Sequence, residues 1–300
     1  MSSAVFMGTP EAAVPSLEAL HSVADIRLVV TRPDRGRGRS RRVQPPPVKK
    51  AAERLGLEVA QPENRAALGT AMEGRSFDVG IVVAFGMILP PDVLAVPHAG
   101  FLNVHFSLLP RWRGAAPVER AVMAGDTETG VTVMVMDEGL DTGPIVAQRA
   151  TTIAPEETGG SLRTRLAKMG ADLLAGVVPA WVAGELETES QPDRGASYAS
   201  RLETADLTLD SSMSAERAAA LVRALAPDRG ARLEIDGVVH KILGVRPHGA
   251  GLAPGSWGEI DHRPVRGFID GALEILTIQP PGKKPMSGEA WLRGRPLPVA

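Results

Sequence analysis

Asp78-Val79-Gly80-Ile81-Val82-Val83-Ala84-Phe85 is the stretch whose reading decides the architecture. Its Val, Ile and Gly do not alternate with polar residues, which marks a strand buried on both faces of a sheet. Upstream, an apolar strand at 5–7 breaks at Gly8-Thr9-Pro10, a helix is expected at 11–21, and residues 26–30 are β-rich. A helix at 48–55 closes at Gly56, and a short strand takes 57–60. Downstream, strands are expected at 101–106 and 131–135 with a helix at 116–124 between them. Strands alternating with helices imply an α/β domain with a parallel sheet and right-handed crossovers, whose ligands bind at the carboxyl ends of the strands.

A long helical stretch at 161–184 carries Leu162, Leu166, Leu173, Leu174 and Val177 on one side. The texture then changes. A polar segment containing Gln191-Pro192-Asp193-Arg194-Gly195 reads as a linker, and 214–226 as one amphipathic helix. Short strands with turn signals follow at 232–237, 238–245, 258–260 and 272–278, the pattern of a small β-barrel. The expected organisation is a first domain at 1–187, a linker at 188–206 and a second domain at 207–300.

Three hundred residues suffice for two domains with cores of their own. The chain has no cysteine, which excludes disulfides, thiolate catalysis and Cys-ligated metals. Met1-Ser2-Ser3-Ala4-Val5-Phe6 lacks the basic start of a signal peptide. The longest apolar run, 79–89, is too short to cross a bilayer and stops at Pro90-Pro91. A cytoplasmic protein without a membrane segment is expected. Net charge is −2, so any anionic partner must be met by a local patch.

Residues 32–50 hold such a patch. Arg32, Arg35, Arg37, Arg39, Arg41, Arg42, Lys49 and Lys50 face a single acid, Asp34. Gly36 and Gly38 loosen its first half and Pro45-Pro46-Pro47 stiffens its end. Such a segment cannot be buried. It is either a solvated loop or a flexible basic arm that neutralises phosphates, and composition does not separate the two.

The chemistry is sought after Gly100, in Phe101-Leu102-Asn103-Val104-His105-Phe106-Ser107-Leu108-Leu109-Pro110. Asn103 and His105 are two apart on a strand, so both side chains point the same way. A buried strand has little reason to carry two polar side chains on one face unless they are used. Downstream, Met136-Asp137-Glu138-Gly139-Leu140-Asp141-Thr142-Gly143-Pro144 is a Gly-rich loop directly after another strand, able to bring Asp141 to the same edge. Asn103 would offer an amide N–H to a developing oxyanion, a protonated His105 another, and Asp141 would orient the imidazole. Losing one such donor costs about 3–4 kcal/mol of transition-state stabilisation. Against this, a single strand histidine is commonly satisfied by local contacts, and Asp-Gly loops are commonly plain turns. The six histidines show no ligand spacing, so no metal is expected.

Asn103-Val104-His105-Phe106-Ser107-Leu108-Leu109-Pro110-Arg111-Trp112-Arg113-Gly114-Ala115-Ala116-Pro117, followed by the Asp137-to-Gly143 loop, resembles the signature of the folate-dependent formyltransferases. Arg111 to Pro117 resembles in particular the branch that acts on a methionyl-tRNA. Phe6-Met7-Gly8-Thr9-Pro10, Thr31-Arg32-Pro33-Asp34-Arg35, Pro47-Val48-Lys49 and Val83-Ala84-Phe85-Gly86-Met87-Ile88-Leu89-Pro90 are similar to further family motifs. So are Leu233-Glu234-Ile235-Asp236-Gly237 and Gln279-Pro280-Pro281-Gly282-Lys283-Lys284-Pro285-Met286. Phe106 stands where many relatives have Gly.

The resemblance implies an α/β, Rossmann-like catalytic domain with a parallel-dominated sheet, followed by a small OB-like β-barrel domain that helps to hold tRNA. It puts the family's catalytic residues on Asn103, His105 and Asp141. It puts the folate against Ser107, Leu108, Leu109 and Pro110 and against Phe85, Gly86, Ile88 and Leu89. It gives tRNA contacts to Arg35, Arg37, Arg39, Arg41, Arg42, Lys283 and Lys284. The implied reaction moves the formyl group of 10-formyltetrahydrofolate to the methionyl α-amine of initiator Met-tRNA, without a metal, in a monomer.

Rival readings fit less of the sequence. Met7-Gly8-Thr9-Pro10 is not the G-x-G-x-x-G of a dinucleotide-binding dehydrogenase. Asp141-Thr142-Gly143 lacks the second carboxylate an aspartic protease needs. An RNA-binding protein without catalysis would leave Asn103, His105 and Asp141 idle. Formyl transfer to a small amine, glycinamide ribonucleotide or an amino-sugar nucleotide, is the alternative within the same chemistry.

Overall fold

The computed structural model describes residues 1–37, 42–249, 251–293 and 296–297. The chain divides into two units. The first comprises Met1–Gly114, Thr129–Thr151 and Arg163–Tyr198, and the second Ala115–Glu128, Thr152–Leu162 and Ala199–Ala300.

Along the first unit run β1 (Ser3–Gly8), α1 (Val14–Val23), β2 (Asp25–Val30), β3 (Arg35–Arg37), β4 (Arg42–Gln44), α2 (Pro47–Arg54), β5 (Val59–Ala60) and α3 (Arg65–Met72). Then come β6 (Val79–Val83), β7 (Phe101–His105), β8 (Glu128–Val135), β9 (Ile145–Thr152) and α4 (Gly159–Val182), which belongs to this unit from Arg163 onward. One seven-stranded sheet has the order β9-β8-β7-β6-β1-β2-β5. The pairs β1–β2, β1–β6, β2–β5 and β6–β7 are parallel, whereas β7–β8 is antiparallel. All five residues of β6 are buried, as their unbroken apolar run requires. Each such Val or Ile contributes about 1.5–3 kcal/mol on burial. Beside it Gly80 pairs with Phe101, and a Cβ at Gly80 would run into the Phe101 ring. The helix expected at 11–21 begins only at Val14, after a 3₁₀ turn, because Pro15 lacks an N–H and is favoured in a first helical turn.

Three expectations are corrected. First, although the sheet is parallel-dominated as expected, β8 does not run parallel to β7. Leu102 lies opposite Val135 and His105 opposite Thr132, so the loop after β8 leaves from the amino end of β7, not from its carboxyl edge. The helix between them, Pro117–Met123, is no crossover, because it packs in the second unit. Second, β9 was not expected. It is a half-exposed edge strand whose sequence, Ile-Val-Ala-Gln-Arg-Ala-Thr-Thr, carries little alternation. Third, the basic stretch is no plain loop. Arg35 pairs with Gln44, Gly36 with Val43 and Arg37 with Arg42 in an antiparallel hairpin stem, which main-chain pairing sustains despite poor strand formers. Arg39 and Arg41 lie outside the described residues.

In the second unit, Pro117–Met123 packs against α5 (Ala215–Leu225). Ser214 caps α5 by accepting from the Arg217 N–H at 3.1 Å. An antiparallel sheet follows with strands β10 (Ala231–Ile235), β11 (Val238–His248), β12 (Trp257–Ile260), β13 (Arg263–Phe268) and β14 (Gly271–Gln279), in the order β10-β11-β14-β13-β12. Met286–Ser287 adds a sixth strand beside β14. Leu221, Val222 and Leu225 of α5 share a core with Leu233, Ile242, Leu273 and Ile275 of this sheet. No helix among the described residues is long and apolar enough to cross a membrane.

Candidate active site

Strand β7 is buried along its length and offers the two polar side chains expected of it. Asn103 is 9% exposed and His105 6%. The odd residues share one side, and Phe106 turns to the other, where it lies near Gly170 of α4.

After β7 the chain makes a tight turn that is fastened from within. The Ser107 hydroxyl, fully buried, donates to the Arg111 carbonyl at 2.6 Å. Thr132 of β8 donates to the Ser107 carbonyl at 2.7 Å and accepts from the Leu109 N–H at 3.1 Å. The Gln148 amide donates to the Leu109 carbonyl and to Thr132 Oγ1, both at 2.9 Å. This brings the Trp112 carbonyl to 2.8 Å from His105 Nε2. A carbonyl can only accept, so Nε2 carries a hydrogen. Nδ1 is then the ring atom that faces Asp141.

Asp141 reaches the site from the other end of β7. Its loop is wound around Asp137, which accepts from the Gly139 N–H at 3.0 Å and from the Thr142 hydroxyl at 2.9 Å. A Cβ at Gly139 would strike Thr142, and one at Gly143 the Val135 carbonyl, so this loop has no room for other residues there. Asp141 itself is left-handed, with φ 53°. Its carboxylate accepts from the Gly114 N–H at 2.8 Å and from the Asn103 amide at 3.3 Å. The oxygen that accepts from Gly114 also faces His105 Nδ1 at 3.7 Å, an ion pair when the ring is protonated. Asn103, His105 and Asp141 therefore converge beside His105, the last residue of β7. Two hydrogen-bond donors beside one carboxylate, with its side chain 17% exposed, suit the stabilisation of a developing oxyanion.

The remaining candidates are spread more widely. Phe85 and Leu89 are buried in the core with Val82 and Phe101. Gly86, with φ 77°, and Ile88, 66% exposed, face outward on the loop after β6. Leu109 is buried, and Leu108 and Pro110 are half-buried. Arg35 is exposed on the hairpin, and Lys283 and Lys284 are exposed in a turn after β14. Of Arg37 and Arg42 the structure describes the paired main chain. The hairpin is anchored at its base, where Lys49 donates to Asp34 and to Gln61, and Gln61 donates to Asp34 and to the Arg32 carbonyl. Among the described residues no cluster of His, Asp and Glu could hold a metal ion.

Sequence reasoning missed Thr132, Gln148, Arg113, Gln191 and Ser197. Ser197 accepts from the Trp112 N–H through its hydroxyl at 2.9 Å and from the Arg113 N–H through its carbonyl at 2.8 Å. Only Arg113 lay inside a motif. The others act over long sequence separations and carry no local signal.

The chain is similar to known proteins over nearly its whole length. The family described as Formyl transferase matches residues 1–178, and the one described as Formyl transferase, C-terminal domain, matches 201–296. A methionyl-tRNA formyltransferase of Halorhodospira halophila is 48% identical, covering 98% of this chain and 96% of its own length. One of Paracoccus denitrificans is 42% identical over 98% of each chain. An N-formyltransferase from Helicobacter canadensis, solved in complex with folinic acid and dTDP-3-aminofucose, shares the fold with a TM-score of 0.71 at 19% identity, over 93% of this chain and 99% of that one. The chain therefore belongs to the formyl transferase family, on the branch of the methionyl-tRNA formyltransferases.

Proposed function

We propose that this enzyme transfers the formyl group of 10-formyltetrahydrofolate to the methionyl α-amine of initiator Met-tRNA, for translation initiation. The observation that carries this reading is the Asp141 carboxylate standing between the Asn103 amide and the His105 ring, in a chain 48% identical to a methionyl-tRNA formyltransferase. The uncharged amine attacks the formyl carbon, and a C–N bond and a tetrahedral oxyanion form. Asn103 has two amide hydrogens and directs one to Asp141, which leaves the other for the oxyanion. A hydrogen on His105 Nδ1, held only loosely across 3.7 Å, is the second donor. As the bond from carbon to N10 breaks, the proton lost by the amine passes to N10 through water. The amine is the nucleophile, so no Ser or Cys is required.

In this reading the folate lies against the turn of Ser107, Leu108, Leu109 and Pro110 and the loop of Phe85, Gly86, Ile88 and Leu89. The outward Ile88 side chain supplies apolar surface for a pterin to cover. Phosphates of the tRNA meet Arg35, Arg37, Arg39, Arg41 and Arg42 of the basic stretch, and Lys283 and Lys284. The enzyme works as a cytoplasmic monomer, and gel filtration at the mass of one 31.6 kDa chain checks the latter. The substrate is tested by offering 10-formyltetrahydrofolate with Met-tRNA, glycinamide ribonucleotide or an amino-sugar nucleotide. Formylation of Met-tRNA alone is expected. Comparable turnover of either small amine would overturn the assignment.

A further inference from the structure

Gln191 sits in the polar stretch that reads as a linker, yet both amide hydrogens and the amide oxygen are engaged beside the loop of Asp141. Main-chain bonds between Glu189 and Ile145, at 2.7 and 2.8 Å, lay this stretch along the start of β9. The Gln191 nitrogen donates to the carbonyl of Asp141 at 2.9 Å and to that of Gly143 at 2.7 Å. Its oxygen accepts from Arg113 Nε at 2.9 Å, and Arg113 is only 6% exposed. No other orientation of the amide works. Exchanging its oxygen and nitrogen would set oxygen against two carbonyls and N–H against a guanidinium N–H.

The contacts close a ring. Arg113 holds Gln191, Gln191 holds the Asp141 main chain, and the Asp141 carboxylate accepts from Gly114, the neighbour of Arg113. The ring fixes both the backbone and the side chain of a residue whose left-handed φ of 53° is unfavourable without such support. We infer that Gln191, oriented by Arg113, is a positioning residue that sets the Asp141 carboxylate against His105 and Asn103. This rests on the reading of those three residues as catalytic. Gln191 touches none of the reacting atoms, and its influence runs through Asp141.

The test is a double-mutant comparison on the full chain, with 10-formyltetrahydrofolate and Met-tRNA as substrates. Gln191→Met keeps the side-chain length and removes both donors. In the wild-type background it should lower kcat about 30-fold, with KM for both substrates within about threefold. In an Asp141→Asn background, where the carboxylate it positions is already gone, the same change should lower the residual kcat by less than about threefold. Equal losses in both backgrounds, or a Gln191→Met enzyme at wild-type rate, would overturn the inference, and thermal melting separates an unfolded variant from a mispositioned one. An Asp141→Asn enzyme that turns over normally sinks the catalytic reading itself. Asp141→Asn inactive with Gln191→Met intact sinks only the positioning role.

Discussion

Two clusters in the first unit are built from the same three kinds of side chain, a carboxylate, an amide and a cation, and they use them differently. At the base of the basic hairpin, Lys49 donates to both oxygens of Asp34 at 3.0 and 2.9 Å, and Gln61 donates to one at 2.6 Å. These donors saturate the charge, and they hold the Asp34 carboxyl below its usual range, the Gln61 hydrogen bond first and that of Lys49 next. Around Asp141 the amide of Gln191 goes to main-chain carbonyls, and Arg113 goes to Gln191 instead of the carboxylate. The carboxylate keeps one short contact, to Gly114, and two longer ones, to Asn103 and His105. A carboxylate that anchors is saturated by its neighbours. Under the proposed mechanism, one that serves a reaction is held by its backbone, and its oxygens face the groups it orients.

The comparison breaks most visibly at Asp141. Asp141→Asn should lower kcat about a thousandfold with little change in KM, because an amide cannot pair with an imidazolium. A loss of tenfold or less in single-turnover formylation would mean that the slack contacts are incidental. Asn103→Ala removes one donor and should cost about a hundredfold in kcat, read in the same assay. The anchor should behave differently. Lys49→Met is expected to raise KM for Met-tRNA about fivefold and leave kcat near wild type, since it loosens the root of the hairpin and not the chemistry. A fall in kcat with KM unchanged would merge the two clusters into one. The smallest effect is one of pH. The Asp34 carboxyl titrates below its ordinary value of 3.8 in the folded chain, so its anchoring is present above 3.8 and is lost only below it, as the pH falls through the lowered value. Amide exchange at 42–44, corrected for intrinsic rates, should therefore quicken as the pH falls below about 4 in the wild type and not in Asp34→Asn.

The strands that could be read from sequence were those whose side chains face apolar surroundings on both sides, such as 79–83. The two-residue spacing of Asn103 and His105 placed both on one face, and burial of the whole strand made that face meaningful. The direction of β8 was not legible, because a β-α-β pattern suggests a crossover whichever unit the helix packs in. The edge strand 145–152 was hidden by its mixed, half-exposed residues. The candidate carboxylate, Asp141, was legible through its Gly-rich loop, since Gly139 and Gly143 are required by close approaches that leave a mark in sequence. Its support was not. Gln191 is fifty residues from Asp141, and nothing in Gln191-Pro192-Asp193 distinguishes it from a solvated turn.

The missing side chain at Gly80 has a mechanical consequence. The Phe101 ring occupies the space a Cβ there would take, so the ring works as an indexing pin between β6 and β7. Sliding β7 by one residue would drive the pin into a neighbour with a side chain, and would turn Asn103 and His105 away from Asp141 to the opposite side of the sheet. An absent methyl group in one strand thus keeps the aim of two polar groups in the next.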